Sequence, residues 1–242
     1  MTVICQSKMP EDMRVPRALP GIQPLEMKNW LVVDEVYGAQ MQERLRLMSA
    51  IPNKVRAQIS GAQEAVQEAL DLVLHQLEGM AGFTRKDGAI VCPDGREVSV
   101  SGDPLMVLGA LIQEDICILE RAQGADEHIL SAAILCFPSH WTLGEKIGKP
   151  MGRIHAPVEE YDENIRRRVQ RLCDGVQVGR PLWRFNYGQA GPELYQPRLE
   201  ADIRVKHTTG DRNYQRAERQ SLLRLPRSNA VLFSIHTYVV PV

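Results

Sequence analysis

The chain has 242 residues, 44% of them hydrophobic, with 29 lysines and arginines against 30 aspartates and glutamates. That is enough apolar material for a substantial core, as one large domain or a core with an extension. A net charge of −1 and a pI near 6.6 speak against a nucleic-acid binder, which carries a basic face; no apolar run approaches the ~18 to 20 residues of a membrane span, and residues 1–24 lack the apolar centre of a secretory signal, so cytoplasmic residence is expected.

Residues 1–35 are rich in proline, show little periodicity, and read as an arm or extended wrap. A short helix is expected over 36–50. Residues 53–76 give the clearest helical signal. Val55, Ile59, Ala62, Val66, Leu70, Val73 and Leu77 recur at steps of three or four, with Asn53 as a plausible N-cap and Gly79 and Gly82 as terminators. Two short strands, 89–92 and 96–100, flank the turn signal Pro93-Asp94-Gly95. A helix over 103–113 has Asp103 near its start, and strands follow at 115–120 and 128–137. The second is so continuously apolar that a central strand is predicted. One helical turn is expected at 145–149. A second amphipathic helix is expected over 158–173, with Val158, Tyr161, Ile165, Val169 and Leu172 on one face.

The C-terminal third reads as antiparallel sheet: a strand at 182–187, then a hairpin of 216–225 and 230–240 around Pro226-Arg-Ser-Asn229. In the last strand Val231, Phe233, Ile235, Thr237 and Val239 share one side. Leu232, Ser234, His236 and Tyr238 share the other. Strands before and after two helices predict an α+β core with antiparallel pairing.

Five cysteines, Cys5, Cys92, Cys117, Cys136 and Cys173, are widely spaced and form no C-x-x-C pair, so reduced, buried thiols are expected rather than a zinc or iron–sulfur site. His155 precedes Ala156-Pro157 at the mouth of the second amphipathic helix. It reads either as an iron ligand or site base, or as a loop histidine satisfying backbone groups. His140 follows the apolar strand, where functional side chains are common. The two are fifteen residues apart with no third ligand at metal spacing. His236 is expected on a solvated sheet face and His75 on a helix surface, while His128 and His207 carry no signal. The run from Arg216 to Arg227 is dense in charge for a strand. Alternation puts Arg216, Glu218 and Gln220 on one side and Arg219 on the other, either polarising a buried pocket or forming a surface ion-pair network. Arg166-Arg-Arg168 reads as a solvated helix face, or, with Lys146, Lys149 or Arg153, as a grip on an anionic group such as a propionate or phosphate. No glycine-rich phosphate loop, G-x-S-x-G elbow or H-E-x-x-H motif is present.

Three segments together resemble one family. They are Phe137-Pro-Ser-His-Trp with Glu145-Lys-Ile-Gly and Ile154-His-Ala-Pro-Val; Arg184-Phe-Asn-Tyr; and Glu218-Arg-Gln-Ser-Leu-Leu-Arg-Leu-Pro with the terminal strand to Tyr238. Pro20-Gly21, Trp30 and Tyr37 fit as well. The family is the α subunit of haem-dependent oxidative N-demethylase and its relatives, and the resemblance spans nearly the whole chain. It implies a haem-binding PAS fold, a five-stranded antiparallel sheet with helices on one side, with residues 83–242 as the PAS-like core and 1–82 as an N-terminal arm and helical extension. It implies haem b and the O2-dependent oxidation of a small methylated amine such as dimethylamine, driven by NADPH and releasing formaldehyde. FMN, a 2Fe-2S cluster and tetrahydrofolate would belong to reductase-type partner subunits. The resemblance points to His155 as the iron ligand, with His140 as competitor, and to Lys146, Arg153 and Arg184 as contacts to the cofactor. Glu218 and Arg219 would shape the catalytic pocket, although alternation allows only one of them inward, and Glu218 is favoured. Glu159 stands where the family usually has proline, which bears on the helix start. The alternative expectation is a haem-containing PAS sensor without turnover.

Overall fold

The computed structural model describes residues 3–14, 21–155, 163–202 and 213–242. The arm carries two short 3-10 turns and β1 (Gln23–Pro24) before α1 (Tyr37–Ala50), close to the expected helix. The long helix expected next is divided into a single turn, α2 (Pro52–Val55), then β2 (Arg56–Gln58), then α3 (Gln63–Leu77). The backbone of this stretch is committed to a neighbouring strand: Ile59 N–H donates to Ser131 O, and Val55 O accepts from Leu135 N–H. Gly61, with φ of 98°, turns the chain before α3 can start. Asn53 therefore lies inside α2, and α3 has no side-chain cap. Its apolar stripe is as the spacing predicts, with Ala65, Val66, Ala69, Leu70, Val73 and Leu77 buried.

β3 (Thr84–Lys86), β4 (Ala89–Val91) and β5 (Glu97–Ser99) form a small separate sheet. The first of these strands is too polar to stand out in sequence. α4 (Pro104–Leu111) is capped by Asp103, whose Oδ1 accepts from the N–H groups of Leu105 and Met106. Then come β6 (Asp115–Glu120), β7 (Ile129–Ile134), α5 (Leu143–Lys146), α6 (Met151–His155), α7 (Glu163–Gly175), β8 (Leu182–Ala190), β9 (Tyr214–Arg224) and β10 (Val231–Pro241).

The main sheet runs β1-β8-β9-β10-β6-β7-β2, antiparallel at every pair. Five long strands lie between two short N-terminal edges. The β9–β10 hairpin holds one register from Val231↔Arg224 to Pro241↔Tyr214, its turn closed by Asn229 at φ 58°. β7 is second from an edge, not central. Its apolar run reflects burial on both faces, which does not depend on position in the sheet.

On one face, Ile116, Ile118, Ala132, Ile134, Leu223 and Leu232 pack with α1, α3 and α4 into the largest core cluster. On the other, Cys117, Leu119, Ala133, Leu222 and Val231 meet Leu143, Ile147, Met151, Ile154, Val169 and Leu172 of the α5–α7 region. Helices thus cover both faces, where the resemblance implies one. The additional layer comes from the N-terminal helices and α4. Gly109 lets α4 sit tightly on the sheet: a Cβ there would come within 2.8 Å of Ile134 Cγ1 and Met48 Sδ. Gly109→Ala is expected to lower stability by about 1–3 kcal/mol, against its helix propensity, as read by urea denaturation.

Candidate functional site

Strand register builds the polar side of the site. Arg184 and Asn186 of β8 stand opposite Gln220 and Glu218 of β9, and Glu218 stands opposite Thr237 of β10. Directly opposed residues project to the same face. Arg216, Glu218, Gln220 and Thr237 are all buried, so this side of the charged run is a buried network, while Arg227 at its end is exposed and pairs with Asp71. Glu218 Oε2 accepts from Asn186 Nδ2 at 3.2 Å and from Gln220 Nε2 at 3.0 Å. Gln220 Oε1 accepts from Arg184 Nη1 at 2.7 Å. Arg216 Nη2 lies 3.9 Å from Glu218 Oε1, its guanidinium anchored on Phe137 O and Leu194 O. Arg216 Nε and Thr237 Oγ1 are buried with no hydrogen-bond partner among the described residues. Each is a polar valence that burial normally requires to be filled.

Arg219 takes the opposite face, as alternation requires. It donates to Trp30 O and Asn29 O and stacks 5.3 Å from the Trp183 ring. The structure therefore does not bring it together with Glu218. Arg216 is the arginine beside that carboxylate. The same alternation signalled this, but it was not singled out as a site residue.

His155 closes α6. Its Nδ1 lies 2.9 Å from Met151 O. Since a carbonyl only accepts, Nδ1 carries the proton and Nε2 the lone pair. Burial, with smaller contributions from the Lys146 and Arg184 charges, lowers its pKa against the Met151 contact, which raises it; the ring is neutral at neutral pH. Buried Lys146 donates to Ile154 O at 2.7 Å and pairs with Glu200 at 2.6 Å. Arg153, mostly exposed, reaches the same carboxylate at 2.8 Å. α6 is fixed from below by Glu127, which accepts from Gly152 N–H and pairs with Arg166 at 3.1 Å; Arg167, Arg168 and Lys149 are exposed. His140 lies on the loop after β7, exposed, with φ of 61° and its N–H donated to Gln196 O. Val158, Glu159, Tyr161 and His207 lie outside the described residues.

His236, expected on a solvated face, is fully buried. Its Nδ1 is 3.1 Å from Glu114 Oε1 and its Nε2 3.2 Å from Asp34 Oδ2. Burial would lower its pKa, but the two carboxylates outweigh it and raise the value to about 9. Alternation assigned the face correctly, but not the arm that covers it. His128 is also buried, against Gln170 Nε2 at 2.8 Å, while His75 is exposed. All five cysteines are free and four are buried. Burial pushes the Cys136 thiol up to about 12 and that of Cys173 to about 11, so neither is an activated thiolate.

Among the described residues, no group of three or more His, Cys, Asp or Glu is placed to hold a metal ion, and no helix is long and apolar enough to cross a membrane. What the site offers is one oriented neutral imidazole, a set of cations beside it, an apolar layer from α5–α7, and a buried carboxylate held by amides. A family model described as haem-dependent oxidative N-demethylase, alpha subunit-like, matches residues 21–242.

Proposed function

We propose, for a chain that belongs to the haem-dependent oxidative N-demethylase, alpha subunit-like family, that it binds haem b and oxidatively demethylates a small methylated amine of the dimethylamine type. The family match over residues 21–242 carries this reading. In balance, the amine, O2, NADPH and a proton give the demethylated amine, formaldehyde, water and NADP+. Electrons would come through reductase-type partner subunits bearing FMN and a 2Fe-2S cluster, with tetrahydrofolate also bound there. We place the protein in the cytoplasm, with residues 83–242 as the haem-binding unit and 1–82 as its extension.

The residues present fit a haem group. His155, with Nδ1 tied to Met151 O, would offer Nε2 as the ligating atom, and a backbone acceptor on the other ring nitrogen is the usual support for a ligating imidazole. Lys146 and Arg153 would hold its carboxylates, with Glu200 yielding both to them, while Arg184 stays on Gln220 Oε1. Met151, Ile154, Val169 and Leu172 would supply the apolar wall. Haem, when bound, supplies the oxygen chemistry. The chain's own work is then positional. Glu218 accepts a hydrogen bond from the substrate ammonium through Oε1, while Asn186 and Gln220 fix the other oxygen, and the sheet and α5–α7 exclude water.

Three measurements test this reading. Protein expressed with haem supply should show a Soret band removed by acid–acetone extraction; a colourless protein that also fails to take up hemin would overturn it. NADPH-dependent formaldehyde release with the cognate reductase separates demethylation from a PAS-type sensor without turnover. His155→Ala is expected to lose haem or hold it in a form rescued by free imidazole, and His140→Ala to keep the wild-type ferric spectrum. Exchanged results would move the ligand to His140.

A further inference from the structure

We propose that Gln220 is a positioning residue: a spacer of fixed polarity that keeps Arg184 from closing onto Glu218, so that the carboxylate remains open to an ammonium ligand. This rests on the reading of Glu218 as the amine anchor.

Arginine only donates and a carboxylate only accepts. Gln220 lies between one of each. Its Oε1 must face Arg184 and its Nε2 must face Glu218, and the distances of 2.7 and 3.0 Å agree. No amide flip satisfies both partners. Arg184 stands opposite Gln220 in the β8–β9 register, and Glu218 is two residues further along the same face. That diagonal is within reach of a long side chain. The two charges already sense each other: burial lowers the Arg184 pKa and Glu218 partly offsets this. Arg184 and Glu218 thus have both the proximity and the charge to form a direct ion pair, and the glutamine amide occupies the path between them. A carboxylate paired directly with arginine would have its charge neutralised and its oxygens taken. With the spacer in place, Asn186 and Gln220 engage Oε2 alone, and among the described residues the nearest cation to Oε1 is Arg216 at 3.9 Å, beyond hydrogen-bonding distance. Arg216 cannot close that gap cheaply, because Phe137 O and Leu194 O hold its guanidinium.

The test is calorimetric titration with dimethylammonium chloride, with haem content recorded for every sample. Gln220→Met, which removes both hydrogen bonds at similar volume, is expected to weaken binding by about tenfold or more, within the range of ordinary coupling energies. Gln220→Asn, too short to span both partners, should do the same and provides a second variant if the first folds poorly. The decisive arm is suppression. Adding Arg184→Met to Gln220→Met should restore affinity to near the wild-type value, because Arg184 is then gone and Arg216 stays on Phe137 O and Leu194 O. A merely structural glutamine would give no such rescue, and two damaging changes would compound. Affinity unchanged in Gln220→Met, or a loss that Arg184→Met fails to reverse, overturns the spacer role. If instead Glu218→Gln itself leaves dimethylammonium binding unchanged, or the wild type binds none, the amine-anchor reading falls and this proposal with it. A Soret band present in either case leaves the haem reading standing.

Discussion

His236→Ala should lower the melting temperature by roughly 10 °C. The imidazole is fully buried between Glu114, itself buried, and Asp34. Removing the cation between these two carboxylates leaves buried charge uncompensated, a change of about 3–5 kcal/mol. At about 2–4 °C per kcal/mol for a chain of this size, that gives the expected shift. The effect should also depend on pH, with a definite sign. His236 binds its proton more tightly folded, with a pKa of about 9 against 6.5. Its contribution is therefore complete below pH 6.5 and lost as pH rises through 9, a difference of about 3 kcal/mol. Asp34 is held down to about 2 from 3.8, although burial alone would raise it; the His236 contacts and the Gln6 and Gln113 hydrogen bonds decide the sign. Its share is complete above pH 3.8 and lost as pH falls through 2. These are two sides of one interaction and are not added. Denaturant titrations of wild type and variant should differ most between about pH 4 and 6.5 and converge towards pH 9. A gap that widens with rising pH would rule out the charged bridge.

Arg44→Met is the second large effect. Arg44 and Asp115 pair at 2.6 Å with both side chains essentially inaccessible, and Arg44 also donates to Gly109 O and Gln113 O and lies over the Phe137 ring. Breaking a buried pair from one side costs about 3–5 kcal/mol. Replacing both partners with apolar residues often restores such a loss. Here it should not. Asp115 also accepts the backbone N–H groups of Cys136 and Phe137 at 2.7 and 2.8 Å, and Arg44→Met with Asp115→Leu would strand both donors, at about 1–3 kcal/mol each. The double variant is therefore expected to be no more stable than Arg44→Met by urea denaturation. Recovery to near wild-type stability would show that the pair matters only as a pair.

Much of this architecture is legible in the residues themselves. The Asp103 cap, the hairpin around Asn229 and the single face shared by Arg216, Glu218 and Gln220 follow from local chemistry and a period of two. What stays hidden depends on partners distant in sequence. Val55 and Ile59 keep helical spacing with α3, yet the β7 backbone takes their hydrogen bonds. His236 alternates like a solvated residue, and nothing near it in sequence announces Asp34, some two hundred positions away. The Gln220 bridge needs the β8–β9 register, which alternation leaves open by steps of two. The proposal of His155 over His140 leans on its motif, since one imidazole carries no spacing signal.

The place of β10 bears on how the chain comes to be folded. It lies between β9 and β6 in the sheet, yet it follows every other described strand in sequence. Until it is made, the β6–β7 pair and the β8–β9 pair are two separate ribbons, each with an open inner edge able to pair with the wrong strand. Gln6, from the other end of the chain, then clasps Val239 through both its backbone and its side chain. Completing the sheet therefore rests on pairings between segments far apart in sequence, the kind of topology associated with slower folding. Residues 231–241 thus join the halves that face the site, and shortening the chain within them would leave two ribbons without the strand between them.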